Sequence, residues 1–205
     1  MTVAQVEALV EEPSAEAALR VLLPRILGNT SFSVYPHSGK DELLKCLPER
    51  LRGYASWLPD DWRIVVVIDR DDDDCVALKQ RLETMALEAG LATRSEKKRG
   101  RFSVVNRLAI EELEAWYFGD WEAVRQAYPR VNVNVPAQAK YRSPDAIKGG
   151  TWEASERVLQ RAGYFKSGLR KIEAAREVAS HMDPNRNTSR SFQVLRDALA
   201  EIAMA

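Results

Sequence analysis

The sequence predicts an α/β protein: a four-stranded, mostly parallel sheet with helices on both faces, followed by a C-terminal helical extension. Three observations predict it. Through residue 128, apolar runs rich in β-branched residues alternate with stretches at helical spacing. One run, "RIVVVID" (63 to 69), is uniformly apolar, as a central parallel strand covered on both faces is. Beyond Tyr128 strand signals cease and helical ones remain. The chain is therefore divided into an α/β domain, residues 1–128, and a loop with a helical extension, residues 129–205, packed on the same domain.

The elements follow in order. "VAQVEALVEE" is the first strand, with an apolar triplet before its carboxylates. Pro13 and Ser14 open a helix with Ala15 to Leu27 as its body, because proline is tolerated in a first turn and serine caps it. "FSVYP" is the second strand, closed by Pro36 and His37-Ser38-Gly39. "KDELLKCLPERLRGYASWL" has helical spacing interrupted by Pro48. After the third strand, "CVALKQRLETMALEAG" is a helix ending at Gly90. "RFSVVNRLA" is the fourth strand and runs into one helix, "IEELEAWYFGDWEAVRQAY", in which Trp116, Tyr117, Phe118 and Trp121 face inward; base stacking is the alternative. Residues 129–150 read as an extended loop, followed by helices over about 152–162, 168–180 and 191–204.

Composition narrows the class. With 45% apolar and 29% charged residues the chain is an ordinary globular protein. It has no apolar run near the roughly 20 residues of a membrane span and no signal-peptide pattern, which predicts a cytoplasmic protein. Cys46 and Cys75 lack zinc-site spacing and are expected to be small buried residues in a reducing compartment. Net charge is zero, but residues 1–75 hold eight Lys or Arg against fourteen Asp or Glu, and the remainder holds the reverse surplus. An acidic site facing a basic flank suits a metal site for a polyanion; two solvated faces of opposite sign are the alternative.

The acidic surplus peaks at "VVVIDRDDDD" (65 to 74). Sites in open α/β sheets form at the carboxyl ends of strands. There stand Glu11 and Glu12 after the first strand, Asp69 and Asp71 after the third, and Glu111, Glu112 and Glu114 after the fourth. Residues two apart in a strand share a face, so Asp69 and Asp71 are expected to present both carboxylates together. Such a group repels itself unless a cation neutralises it, and hard oxygen ligands favour Mg²⁺ or Mn²⁺. Asp72 to Asp74 are expected instead to cap the next helix.

These residues carry a resemblance. "VEEPSAEAAL" followed by "VVVIDRD" resembles the toprim domain, a Rossmann-like fold with a glutamate after the first strand and a DxD after the third. A closer resemblance is to a family of uncharacterised bacterial proteins related to the toprim domains of overcoming-lysogenization-defect nucleases. It runs through "SGKDELL", "NRLAIEELEAWYFGD", "GYFKSGLRKIEAA" and "SRSFQVL". The resemblance implies that Glu11, Asp69 and Asp71 hold a divalent metal, with Glu11 also a general acid or base, and that Glu112 and Glu114 add to the site. It implies a metal-dependent nuclease, by analogy one working in anti-phage defence beside an ATPase partner; a non-catalytic toprim-derived subunit of an ATPase complex is the alternative. Two departures, Glu12 in place of glycine and Ala15 in place of an acid, leave a second metal open.

Basic residues complete the expectation. Lys166 in "GYFKSG" is placed over a phosphate, since phosphoryl transfer needs a cation. "SGK" at 38 to 40 lacks a full phosphate-loop pattern, yet Gly39 and Lys40 stand at a helix start where phosphate binds. "RSEKKRGR" (94 to 101), with Lys97, Lys98, Arg99 and Arg101, reads as a turn that grips DNA or RNA, or as a solvated loop. His37 and His181 have no partner spacing and are read as structural or exposed.

Overall fold

A computed structural model describes residues 2–96 and 101–205. Four strands, β1 (Gln5–Val10), β2 (Ser31–Pro36), β3 (Trp62–Asp69) and β4 (Val104–Ala109), form an all-parallel sheet in the order β2-β1-β3-β4. Helices α1 (Pro13–Leu27), α2 (Lys40–Ala55) and α3 (Cys75–Glu88) connect them. After β4 come α4 (Ala115–Gly119), α5 (Trp121–Ala127), a 3-10 turn at Pro144–Ala146, α6 (Thr151–Arg161), α7 (Lys171–His181) and α8 (Arg190–Met204). No helix among the described residues is long and apolar enough to cross a membrane.

Strand alternation divides the core into two layers. Val6, Ala8, Val10, Val65, Val67, Val105 and Ala109 face α1 and the C-terminal helices. Leu9, Ile64, Val66, Ile68, Val104 and Leu108 face α2 and α3. Helix α7 packs on α1 and α5, and α8 packs on β4 and α1, so residues past 129 close the first layer. The aromatic set Trp116, Tyr117, Phe118 and Trp121 is buried there, as its spacing predicts.

Several expectations need correction. Pro48 does not interrupt α2, which runs continuously past it. A buried seam of Leu43, Leu47 and Leu51 holds the helix, and burying each such side chain is worth about 1.5–3 kcal/mol, enough to offset about 3 kcal/mol for the proline. Ser14 lies inside α1 while Glu12 holds the cap position, and the Ser14 hydroxyl donates to the Glu12 carboxylate. Cys46 is exposed and Cys75 half-buried, because the buried face of α2 falls on Leu43, Leu44, Leu47 and Leu51.

The single helix expected over residues 110–128 is two short ones, broken at Asp120. The break has a cause in packing. Gly119 lies against Asn187 and Ser189, too close for a Cβ, and its carbonyl accepts from Thr188 N at 2.8 Å. Asp120 then caps α5 by accepting from Ala123 N, and reaches Asp183 N at 2.8 Å and Arg186 Nε at 2.7 Å. Its side chain is fully buried, whereas that of Arg186 is 42% exposed. Replacing Asp120 removes the side-chain acceptor of the buried Ala123 amide and of the part-buried Asp183 amide, while the arginine can still reach water. Asp120→Ala should therefore cost about 2 kcal/mol, read as a lower denaturant midpoint at unchanged slope.

Candidate active site

The parallel register sets Val10 of β1 beside Val67 of β3, which brings the end of one strand alongside the other. There Glu11 Oε2 accepts the backbone N–H of Asp69 at 3.0 Å. Glu11 and Asp69 thus share the carboxyl edge of the sheet. Asp69 is the last residue of β3 and only 9% exposed. Burial pushes its carboxyl well above the usual range, and Glu11, Glu114, Glu12 and Asp71 add their repulsion. Burial likewise raises Glu11 to about 6, against the opposing hydrogen bond from Asp69.

Glu114 enters from the loop before α4 and is buried, with neither carboxylate oxygen hydrogen-bonded. Burial raises it to about 7, with Lys171 pulling the other way. Tyr117, one turn later, buries a hydroxyl that also lacks a partner, and burial followed by Glu114, Glu12 and Asp69 pushes it well up. Two lysines offset this negative charge. Lys171, the first residue of α7, lies 3.8 Å from Glu12 and over the Trp152 ring. Burial works against its charge, but Glu114, Glu12, Glu112 and Asp69 hold its pKa above the ordinary value. Lys40, the first residue of α2, bonds Asp71 at 2.7 Å, Asp73 at 2.8 Å and the Arg70 carbonyl at 3.0 Å.

Asp71 and Glu112 depart from expectation. Strand β3 ends at Asp69, so the two-residue alternation does not extend to Asp71, which has φ 47° and turns out to Lys40. Glu112 Oε2 accepts from Thr151 N at 2.9 Å, Trp152 N at 2.9 Å and Thr151 Oγ1 at 3.0 Å; it caps α6. Asp74 caps α3 through Ala77 N, as expected of the later aspartates. His37 is held by the Val10 carbonyl at 2.9 Å and has a structural role. Among the described residues no three His, Cys, Asp or Glu side chains are gathered closely enough to grip one ion. The donor chemistry nevertheless suits a hard cation: Glu11 and Glu114 both repel Asp69, and Glu114 has unspent acceptors in a buried position.

Lys166 is exposed in the α6–α7 loop and makes no hydrogen bond or ion pair to the cluster among the described residues. Lys171 has the place that was expected of it. The available signal was a lysine in the first turn of a helix, where the dipole disfavours a cation unless acids face it. Lys97, Lys98 and Arg99 lie outside the described residues. Arg101 precedes β4, at the amino end of the sheet, and so does not join the carboxylates.

Residues 10–200 match the model of a family described as a domain of unknown function, DUF4276. No curated protein and no solved structure matches the chain.

Two expectations follow from this geometry. Glu112→Ala should cost about 1–2 kcal/mol through the lost α6 cap, while leaving any divalent-metal stabilisation unchanged; thermal melts with and without Mg²⁺ check both. In metal-free protein, the folded state binds the protons of Glu11 and Glu114 more tightly than the unfolded chain does. Their contribution to stability is complete below about pH 4.5 and is lost as pH rises through about 6 and then about 7. A denaturant midpoint in EDTA should fall across that window, and Glu114→Gln should flatten its upper part.

Proposed function

We propose, for a chain that belongs to the DUF4276 family, a divalent-metal-dependent hydrolysis of phosphodiester bonds in nucleic acid. One observation carries the reading. Asp69 and Glu114 are buried and Glu11 is half-buried at the carboxyl edge of a parallel sheet, and burial first, with neighbouring carboxylates adding to it, raises every one of their pKa values. A fold keeps such a cluster at a cost in stability, and a bound cation removes that cost. The order of a glutamate after the first strand and DxD after the third, shared with toprim nucleases, supports the same chemistry.

Asp69 and Glu11 would hold the ion, with Glu114 or Asp71 completing its shell. Bound there, Mg²⁺ or Mn²⁺ would supply charge neutralisation at the phosphate and would acidify water. The chain's own residues do the rest. Glu11 would accept a proton from the attacking water. Lys40, bonded to Asp71, and Lys171, beside Glu12, would meet the non-bridging phosphate oxygens, the role first expected of Lys166. Tyr117, buried within electrostatic reach of Glu114 and Asp69, would limit solvent around the acids.

A second reading has an observation of its own. Lys40 and Lys171 already neutralise part of the cluster, and the acids are not gathered into a ligand triad. That arrangement favours a non-catalytic subunit that binds nucleic acid and transmits a signal to an ATPase. A role in anti-phage defence rests on the resemblance to toprim nucleases alone.

Incubating the full chain with plasmid, single-stranded DNA and tRNA, in Mg²⁺, Mn²⁺ or EDTA, tests the proposal. Cleavage should require metal and fall by roughly 100-fold or more in Glu11→Gln. Cleavage that survives EDTA or the substitution overturns the mechanism. Binding without cleavage in any metal selects the second reading.

A further inference from the structure

The layer facing α2 breaks its apolar pattern at one place. On β1 the residues that face α2 are Gln5, Glu7 and Leu9, and only Leu9 joins the core. Over Gln5 and Glu7 lies a groove of about 590 Å³, which also takes in Ser33, Tyr35, Arg50, Gly53, Tyr54, Trp57 and Trp62. Its floor is polar and ordered: Gln5 Nε2 donates to Glu7 Oε1 at 2.8 Å and to Ser33 Oγ at 3.1 Å, and Tyr54 Oη donates to Glu7 Oε2 at 3.0 Å. Glu7 is only 4% exposed. The walls are aromatic. Tyr54 and Trp57 have ring centroids 5.4 Å apart, and Trp57 meets Trp62 edge-on at 5.6 Å. The Arg50 guanidinium stands over the Tyr35 ring, 4.5 Å from its centre, and within reach of the Tyr54 hydroxyl.

Two features of this groove exceed what the fold requires. Trp57 meets Tyr54 and Trp62 with part of its ring yet leaves 54% of its surface in solvent. Gly53 sits inside α2 with ordinary helical geometry, and a Cβ built there would meet nothing within 4 Å. Glycine is a poorer helix former than alanine, by up to about 1 kcal/mol, and in this last turn of α2 no close contact demands it. It keeps the groove clear.

We propose that this groove is a nucleotide-binding site that takes the base against the exposed Trp57 ring. The base edge would lie on the Gln5–Glu7–Ser33 floor and the phosphate on Arg50. Each element of the groove matches a part of that ligand. Aromatic walls stack on the π-face of a base. A carboxylate that accepts only two of about four possible hydrogen bonds keeps capacity for the N–H donors of a base edge, and the Gln5 carbonyl adds an acceptor. The guanidinium suits a phosphate. A free organic cation is a poorer fit, since Arg50 already occupies the groove, and a lipid tail would leave the polar floor unsatisfied. The site lies on the α2 side of the sheet, whereas Asp69 continues the Val65–Val67 face toward α1, so the proposal does not depend on the hydrolase reading.

Tryptophan fluorescence and calorimetric titrations of the full chain with AMP, GMP, CMP and UMP in EDTA test it. At least one nucleotide should bind saturably, and its nucleoside should bind more weakly by a margin that Arg50→Gln removes. Trp57→Ala and Gly53→Leu should each weaken binding by roughly tenfold or more, since stacking is lost in one and the groove filled in the other. Gly53→Leu puts a better helix former at an open position, so its melting temperature should not fall. If that variant nevertheless fails to fold, the exposed Trp57 substitution decides alone. Asp69→Asn should bind nucleotide like the parent, which separates this site from the carboxylate cluster. Absence of saturable nucleotide binding, unchanged affinity in Trp57→Ala, or preference for a methyl glycoside or tetramethylammonium over every nucleotide would overturn the assignment.

Discussion

At the carboxyl end of β3 the chain buries Asp69 beside Glu11 and Glu114, and like charges in a low-dielectric setting repel. Much of the molecule is arranged around that repulsion. The two cations that moderate it, Lys40 and Lys171, begin helices α2 and α7, a position the helix dipole makes unfavourable for a lysine. The carboxylates they face reverse that preference. Glu112, next to the cluster in sequence, is spent on the start of α6. The C-terminal helices are thereby tied to the strand ends by charge as well as by the apolar layer they share with α1.

The remaining framework follows from burial. Two apolar layers sandwich the sheet, and strand alternation assigns each residue to one of them. Where that assignment fails it marks a site. Asp69 falls on the layer facing α1, and Gln5 and Glu7 fall on the layer facing α2. Each polar break is accompanied by something the fold alone does not require: unpaired buried acceptors on Glu114 in one case, an open glycine and an exposed tryptophan in the other.

The strands were legible because their apolar, β-branched runs have no helical alternative of comparable burial. The parallel sheet followed from their spacing, and with it the meeting of Glu11 and Asp69. What could not be read was decided by distant contacts. Pro48 signals a break locally, but the leucine seam beneath it is a tertiary fact. The helix break at Asp120 depends on Gly119 meeting Asn187 and on Arg186, both far along the chain. Asp71 looked like the second half of a strand pair until the end of β3 turned it toward Lys40. Lys171 and Lys166 are neighbours in sequence, and only the placement of α7 shows which of them faces the acids.

The central claim is that Asp69 is held for a cation rather than for the fold. Comparing denaturant midpoints of the parent and Asp69→Asn, both stripped of metal, tests it most directly. Removing one carboxylate from a buried cluster that Lys40 and Lys171 compensate only in part relieves repulsion, so the variant should unfold at a higher midpoint, while Mg²⁺ should stabilise the parent and not the variant. A lower midpoint for metal-free Asp69→Asn would mean that this carboxylate holds the fold together, and would contradict the account.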